Sequence, residues 1–477
     1  MRKDKRNMAK KEKSASELLK EQLFYERKNA LCDIKAAEVK KINSYAEGYK
    51  NFLNTAKTER EAVNYAVKYA EENDFRAFEY GKKYSAGDKI YFNNRGKAIY
   101  LAVIGSENIE NGINIAAAHI DSPRIDLKQC PVYEEGGMAF FKTHYYGGIK
   151  KYQWVTLPLA LHGTVVLKDG KKIDICVGEK ADDPVFCITD LLPHLAADQY
   201  AKTLGKAITG EGLNVLIGST PFEGEKGKDS IKLNVLSILN KTYGIIEEDF
   251  ISAELTLVPA EKARDLGFDR SMICGYGHDD RVCAYPILTA AVEAGKKTPK
   301  NTLVTILADK EETGSNGNTG MHSEAFDNML IELCTNMGAN YRKAVSNSRC
   351  LSADVNACFD PNYAEVYESK NSAFINCGVC VTKFTGSRGK SSTNDASAEY
   401  MAEIRSIFDN AGVTWQTGEL GKVDQGGGGT VALIIAEKNI ETVDVGVAVL
   451  SMHAPYEIIS KADLYSAYKA FTAFFAR

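Results

Sequence analysis

Apolar runs typical of β-strands alternate with helical patterns over most of this 477-residue chain. Residues 98–104 and 302–307 are strand-type runs, whereas 59–73, 279–294 and 461–475 carry apolar residues at helical spacing. Strands that alternate with helices of this length are usually joined in parallel, with the helices packed on the sheet. The sequence therefore predicts an α/β fold with a mainly parallel central sheet and helices on both faces.

The alternation is interrupted between residues 128 and 271, where short β-type runs dominate and long helical patterns are scarce. The simplest account is a discontinuous domain formed by 1–127 and 272–477, with a β-rich insert of ordinary domain size between them. A helical pattern without Gly or Pro covers 15–46, so we expect an N-terminal helical extension over residues 1–44.

Composition excludes several classes of protein. The net charge of −4 gives no general basic surface, so we expect no nucleic-acid partner. No apolar run approaches the ~20 residues of a membrane helix, and the basic first residues precede no apolar signal region. The 11 cysteines, an odd number, do not suit a disulfide framework. We therefore expect a cytoplasmic protein without membrane contact.

Imidazole and carboxylate side chains follow four of the predicted strands. His119 follows the run 113–118, Glu311 and Glu312 follow 302–308, Asp354 follows 351–353, and His453 follows 443–450. In open α/β sheets, ligands bind beyond the carboxyl ends of the strands. These side chains can therefore converge on one crevice, together with Asp279 at the start of the helix 279–294.

Each of these residues alone has an ordinary explanation. Asp279 suits a helix N-terminus, and paired Glu residues are usually a solvated helix face. Glu311 and Glu312, however, stand at a strand–loop junction, where paired carboxylates are costly without a cation or a use. Two divalent cations would be largely neutralised by Asp279, Glu312 and Asp354, with two imidazoles completing the ligands.

Nitrogen and oxygen ligands without thiolate favour Zn²⁺, with Co²⁺ or Mn²⁺ possible, over copper or iron–sulfur. In such a dinuclear site Glu311 is left unliganded and is available as a general base.

Five strings along the chain occur in the order and spacing of a known family: AAAHIDSP (116–123), GHDDR (277–281), DKEETGS (309–315), SADVNACFDPNY (352–363) and LSMHAPYE (450–457). With them the chain resembles the aspartyl aminopeptidase / aminopeptidase I family of dinuclear zinc metallopeptidases. The resemblance extends from about residue 45 to the C-terminus. It implies a zinc-peptidase-like fold and hydrolysis of the N-terminal residue from peptides.

The resemblance also implies a role for each site residue. His119 and Asp354 would bind one zinc ion, Glu312 and His453 would bind the second, and Asp279 would bridge the two. It further implies that Asp121 fixes the imidazole of His119 and that Glu311 is the catalytic base. Two zinc ions would be bound per subunit. Its members form homo-oligomers, usually dodecamers, through the β-rich insert.

Two other functions share these residues. One is a dinuclear amidohydrolase acting on acylated amino acids, and the other is a non-catalytic assembly protein of the same fold. The preferred first residue of the substrate is a separate question. Lys383, Arg388 and Lys390 could provide a cation for acidic side chains, but the segment after Asp354 departs from the eukaryotic members. We therefore expect broad or neutral specificity.

Overall fold

The computed structural model of the protein describes residues 13–32 and 34–477. The described helices are Ala15–Leu23, Ala36–Thr55, Glu59–Glu71, Ala197–Tyr200, Leu204–Ala207, Ser230–Tyr243, His278–Ala294, Ala325–Asn336, Tyr341–Ser346, Ala398–Asn410, Val431–Ala436 and Lys461–Phe475. The basic segment 1–12 lies outside the described residues.

The central sheet has nine strands, and those that carry the predicted site lie in its middle. In spatial order the strands are Arg76–Ala77, Lys89–Asn94, Ala98–Val103, Leu303–Ala308, Asn114–His119, Arg349–Ser352, Glu441–Gly446, Val379–Thr382 and Trp415–Thr417. The fourth to seventh strands of this order are parallel to one another. Antiparallel pairs flank this parallel group on both sides.

Helices cover both faces of this sheet. Along Asn114–His119, Ala116 and Ala118 point into one core, which includes the helices His278–Ala294 and Lys461–Phe475. Ile115 and Ala117 point into a second core on the opposite face, which includes the helix Ala325–Asn336. A strand buried on both faces reads as a continuous apolar run, which is the pattern seen in the sequence. The predicted α/β class with a mainly parallel centre is confirmed.

A second, antiparallel sheet of seven strands is formed by the β-rich part of the chain. Its spatial order is Lys172–Val177, Leu159–Val166, Ala253–Pro259, Arg124–Glu135, Met138–Tyr146, Val215–Gly218 and Cys187–Ile188. It has its own apolar core, in which the Trp154 side chain is fully buried. Two small sheets complete the described part of the chain. One has the strands Arg264–Leu266, Met272–Gly275 and Glu457–Ser460, and the other has Asn356–Ala357 and Ala448–Val449.

The prediction of a single helix over residues 15–46 is wrong. A first helix ends at Leu23, residues 24–32, 34 and 35 are not helical, and a second helix runs from Ala36 to Thr55. Contacts with distant residues hold the break: the Arg27 guanidinium lies over the Phe374 ring, and the Ala30 N–H donates to the Asn376 carbonyl. Tertiary contacts of this kind override helix propensity.

Candidate metal centre

The parallel strands bring the predicted side chains to one edge of the sheet. His119 is the last residue of its strand and lies beside Ala308, the last residue of the neighbouring strand. Glu311 and Glu312 follow in a short 3₁₀ turn. Asp354 lies two residues beyond the end of Arg349–Ser352, on the other side of the His119 strand. The carboxyl ends of adjacent parallel strands thus supply these ligating groups, as expected for an α/β sheet.

Asp279 stands in the first turn of the helix His278–Ala294, with backbone angles that are not helical. The helix is capped by Gly277, so Asp279 is not the N-cap residue. Its backbone is held on two sides, because the Ser122 hydroxyl donates to its carbonyl (2.7 Å) and Glu457 accepts its N–H (3.0 Å). The carboxylate is therefore fixed toward the strand ends.

Asp279 presents one carboxylate oxygen to each of two histidines. Its Oδ1 lies 3.1 Å from His119 Nε2, and its Oδ2 lies 3.3 Å from His453 Nε2. Asp354 Oδ1 is 3.9 Å from the same nitrogen of His119, and Glu312 Oε2 is 3.5 Å from that of His453. Two groups of three possible metal ligands result, each with its ligating atoms within 4.8 Å, and they share one carboxylate.

Burial and mutual repulsion shift the acid–base behaviour of these groups. Burial, and then the neighbouring Asp279, raise the pKa of Glu312 well above its ordinary value. Burial, and then Glu311, do the same for Asp354. Burial would lower the pKa of His119, but hydrogen bonds with Asp121 and Asp279 raise it well above the ordinary value. The cluster therefore favours bound positive charge, which a divalent cation would supply.

One oxygen of the cluster also has no protein partner. Glu312 Oε1 is buried and accepts no hydrogen bond from the described part of the chain. A buried carboxylate oxygen without a partner is costly. Together with imidazole nitrogens and carboxylate oxygens at ligand spacing, it fits a zinc site with mixed nitrogen and oxygen ligands.

Glu311 lies beside the two ligand groups and belongs to neither. Its Oε2 is 3.9 Å from His119 Nε2, and its side chain is 19% exposed. Burial raises the pKa of Glu311 to about 7, although the nearby His119 opposes this shift. A half-buried carboxyl with such a pKa suits proton transfer near neutral pH.

Asp121 connects the first histidine to the glutamate pair. Its Oδ1 lies 3.3 Å from His119 Nδ1 and accepts the Glu311 N–H at 3.1 Å. Its Oδ2 accepts the Glu312 N–H at 3.2 Å and the Tyr146 hydroxyl at 2.7 Å. One buried carboxylate thus orients the imidazole and the turn that carries both glutamates.

Two residues of the centre were missed from the sequence. Glu457 is fully buried and accepts the N–H groups of both Asp279 (3.0 Å) and His453 (2.7 Å). Tyr146 comes from the seven-stranded sheet and donates to Asp121. A signal existed for Glu457, which is a charged residue inside the quoted string LSMHAPYE. No sequence signal marks Tyr146, because its partner Asp121 is 25 residues away, in the loop between two strands.

The ligand groups open into a cleft of about 400 Å³. Its lining includes Asp354, Asn356, Thr382, Asp444 and the segment Gly427–Thr430.

The lysines suggested for this pocket are held elsewhere. Within the described residues the cleft lining contains no Lys or Arg, and Lys383 and Lys390 both pair with Asp395. Arg388 is also absent from the described lining. The segment 383–390 therefore offers this cleft no cation for an acidic substrate side chain.

Two comparisons with known proteins agree with this geometry. A family model described as "Aminopeptidase I zinc metalloprotease (M18)" matches residues 52–475. The chain is 51% identical over 460 residues to the probable M18 family aminopeptidase 1 of Clostridium acetobutylicum, covering 95% of this chain and 98% of that protein. Fold and site define a zinc metallopeptidase, and the chain belongs to the M18 aminopeptidase I family.

Solved structures carry the same fold. The M18 family aminopeptidase from Thermotoga maritima superposes with a TM-score of 0.90 at 42% identity, over 95% of this chain and 99% of that one. The S. cerevisiae mApe1 dodecamer superposes with a TM-score of 0.74 at 19% identity, over 90% and 96%, which shows the fold alone. The family and the enzyme class expected from the sequence, a zinc-dependent aminopeptidase, are confirmed. Among the described residues, no helix is both long and apolar enough to cross a membrane.

Proposed function

We propose that each subunit binds two zinc ions and uses Glu311 as the general base to release the first residue of peptides. His119, Asp279 and Asp354 would hold one ion, and Asp279, Glu312 and His453 the other. The observation that carries this proposal is the Asp279 carboxylate, whose two oxygens approach two different imidazoles. A bridging carboxylate needs this placement, whereas a helix-capping carboxylate does not.

Zinc, when bound, polarises the scissile carbonyl and lowers the pKa of water. Glu311 takes the proton of the attacking water and delivers it to the leaving amine. Asp121 holds the His119 ring and, through two N–H groups, the turn that carries Glu311. Glu457 fixes the backbones of both Asp279 and His453, so that the shared ligand and the second histidine keep their spacing.

A free α-amine on the substrate would restrict cleavage to the first peptide bond. The cleft next to the ligands is lined by carboxylates, and these attract an ammonium group. We therefore expect peptides and aminoacyl amides with a free N-terminus to be substrates. N-acetylated analogues lack the positive charge and should be poor substrates.

Turnover of matched substrates tests this function. Aminoacyl amides and their N-acetylated analogues would be compared with the zinc-loaded enzyme, and again with Co²⁺ or Mn²⁺. Turnover of the free amides alone supports the aminopeptidase. Preference for the acetylated substrates would indicate an amidohydrolase, and no turnover of either would indicate a non-catalytic assembly protein. The unliganded, half-buried Glu311 speaks against the last of these, because it has no use there.

We also propose a homo-oligomer, a dodecamer as in mApe1, assembled through residues 128–271. This segment exposes apolar side chains, including Leu195 at 67% and Tyr200 at 72% of their surface. Exposed apolar groups of this kind often mark interaction surfaces. Light scattering should give a mass of about twelve subunits, and a monomer mass would contradict the proposal.

A cytoplasmic location is part of the same proposal. All eleven cysteines lie in the described residues and are free. Free thiols are typical of proteins kept in a reducing compartment.

A further inference from the structure

Four buried oxygen atoms beside the substrate cleft have no hydrogen-bond partner among residues 13–32 and 34–477. They are both carboxylate oxygens of Asp444, the amide oxygen of Asn356 and the hydroxyl oxygen of Ser352. Asp444 is only 3% exposed, yet it lines the cleft together with Asn356. Buried polar groups are nearly always hydrogen-bonded. The Ser352 hydroxyl can itself donate, but the carboxylate and amide oxygens can only accept, so they point to a ligand that donates.

Strand register places this cluster deeper than the ligand groups. Asp444 lies beside Ser352 in the parallel pair Arg349–Ser352 and Glu441–Gly446. Asp354 lies two residues further along, about 7 Å toward the carboxyl ends of the strands. Asp444 is therefore at the floor of the cleft, whereas the predicted zinc ligands are at its rim. A group that reaches Asp444 from the reacting bond must be carried on a long side chain.

The strand pattern also defines the face of the sheet on which the Asp444 side chain lies. The neighbours Val443 and Val445 point into the core around the helix His278–Ala294. Because side chains alternate along a strand, Asp444 points to the opposite face, which the helix Val431–Ala436 covers. The segment Gly427–Thr430 leads into that helix and forms another wall of the cleft. The space around Asp444, Ser352 and Asn356, called the recess below, is thus part of the substrate cleft.

The charges around the recess are unbalanced. Asp444 is a fifth carboxylate facing the cleft, beside Asp279, Asp354 and the glutamate pair 311–312. Two divalent cations would bring four positive charges against these five carboxylates. Cations of the nearby loop do not compensate, because Lys383 pairs with the exposed Asp395. One negative charge is left for a substrate cation at the floor.

We propose that Asp444 binds the cationic side chain of the substrate's first residue, so that the enzyme prefers N-terminal lysine. This inference rests on the proposed aminopeptidase function. The ε-ammonium of lysine is a compact cation with three donors on a flexible four-carbon stem. Both oxygens of Asp444 and the amide oxygen of Asn356 would accept its hydrogen bonds. An acidic side chain would instead meet a carboxylate and be rejected.

The acid–base behaviour of Asp444 is consistent with this role. Burial raises the pKa of the Asp444 carboxyl to about 7, although the Thr430 and Ser352 hydroxyls nearby oppose the shift. A buried carboxyl of this kind gains from a cationic partner.

The test compares lysyl and norleucyl amides, which share the same straight carbon chain except for the ammonium group. With the zinc-loaded wild type, kcat/KM should be about ten- to a hundredfold higher for the lysyl amide. In Asp444→Asn the ratio should fall to near one. The ratio is taken within each variant, so a general loss of activity cancels. Asp74→Asn, the same change at an exposed site outside the cleft lining, should keep the wild-type ratio.

Other outcomes separate this inference from the function on which it depends. If the wild type cleaves norleucyl or aspartyl amides as well as lysyl amides, the Asp444 assignment is overturned and the aminopeptidase stands. An unchanged ratio in Asp444→Asn, with both substrates slowed equally, would place Asp444 at the α-amine instead and also overturn it. If the wild type cleaves no aminoacyl amide, the proposed function fails as well. The wild-type ratio alone tests the inference even if the variant does not fold.

Discussion

Two clusters of histidine and carboxylate side chains in this protein have similar compositions and opposite characters. The first is the candidate metal centre, formed by His119, Asp279, Glu312, Asp354 and His453. The second, the His162 cluster, lies between the helix Glu59–Glu71 and the seven-stranded sheet and consists of Lys57, Glu61, His162, Cys176 and Glu179. In both, three ligating atoms lie within 4.8 Å of one another.

The His162 cluster is satisfied by its own members. His162 Nδ1 lies 2.7 Å from Glu61 Oε1, and its Nε2 lies 3.1 Å from Glu179 Oε1. Lys57 donates to Glu179 and to the Pro259 carbonyl. Burial would lower the pKa of His162, but hydrogen bonds with Cys176, Glu179 and Glu61 raise it to about 11. Two cations therefore balance two carboxylates.

The candidate metal centre is not satisfied in this way. Its imidazole–carboxylate separations run from 3.1 to 3.9 Å, and Glu312 Oε1 has no partner within the described chain. Carboxylates outnumber imidazoles, and the unliganded Glu311 adds a further negative charge. The comparison teaches that proximity of ligating atoms does not define a metal centre. Excess negative charge and free acceptors do.

The largest expected effect is that of Asp279→Ala. Losing the shared carboxylate should remove both zinc ions and lower kcat by more than about 10³-fold, the upper figure for one electrostatic group. Elemental analysis and turnover of a leucyl amide measure the two changes. In the control His453→Ala, one ligand of one ion is lost, so less metal should be released. Full zinc content with normal turnover in Asp279→Ala would refute the shared-ligand arrangement.

Glu311→Gln should separate catalysis from metal binding. The amide is nearly isosteric but cannot take a proton, so kcat should fall about 10²–10⁴-fold while zinc content stays unchanged. Steady-state kinetics with elemental analysis of the same preparation is the measurement. Loss of one ion from this variant would mean that the roles of Glu311 and Glu312 are reversed.

His162→Gln should lower the stability of the fold and leave metal binding and catalysis unchanged. Removing one partner of a buried ion pair costs about 3 kcal/mol or more of stability, whereas zinc content and kcat should not change. Urea unfolding gives the free energy, and elemental analysis gives the zinc content. Loss of a zinc ion from this variant would show that the His162 cluster is itself a metal site.

The smallest expected effect is the pH dependence of the stabilisation that His162 contributes to the folded state. The pKa of His162 is raised above its ordinary value of 6.5 to about 11 in the folded state. Its stabilisation is therefore complete below pH 6.5 and is lost as the pH rises through about 11. The difference in unfolding free energy between wild type and His162→Gln should shrink from pH 7 to 11. A difference that grows over this range would contradict the charged imidazole.

The sequence predicted the parts of the fold that repeat a simple pattern. The helix expected at 279–294 is found at His278–Ala294, and the apolar run before His119 is a strand buried on both faces. The N-terminal helix was wrong because its break depends on contacts of Arg27 and Ala30 with residues more than 300 positions away. No local pattern records such contacts.

The second N-terminal helix also continues further than expected, through Gly48. A side chain at Gly48 would come within 2.5 Å of the Tyr285 hydroxyl, so the glycine there serves helix packing and does not end the helix.

Site residues could be predicted where the side chain follows a strand. They were missed where the role of the residue depends on a partner residue distant in sequence. His119, Asp354 and the glutamate pair could be placed from strand ends alone. Glu457 acts through the backbone of Asp279, 178 positions away, and sequence spacing does not show that contact. Asp444 stands inside the apolar run 443–450, where a charged residue is a signal that could have been followed.

The most direct test of the whole account is zinc-edge anomalous diffraction from crystals of the zinc-loaded enzyme. We predict two anomalous peaks per subunit, one on each side of the Asp279 carboxylate, and none at His162. The first peak should lie next to His119 and Asp354, and the second next to His453. A single peak at Asp279, no peak there, or a peak at His162 would contradict the account.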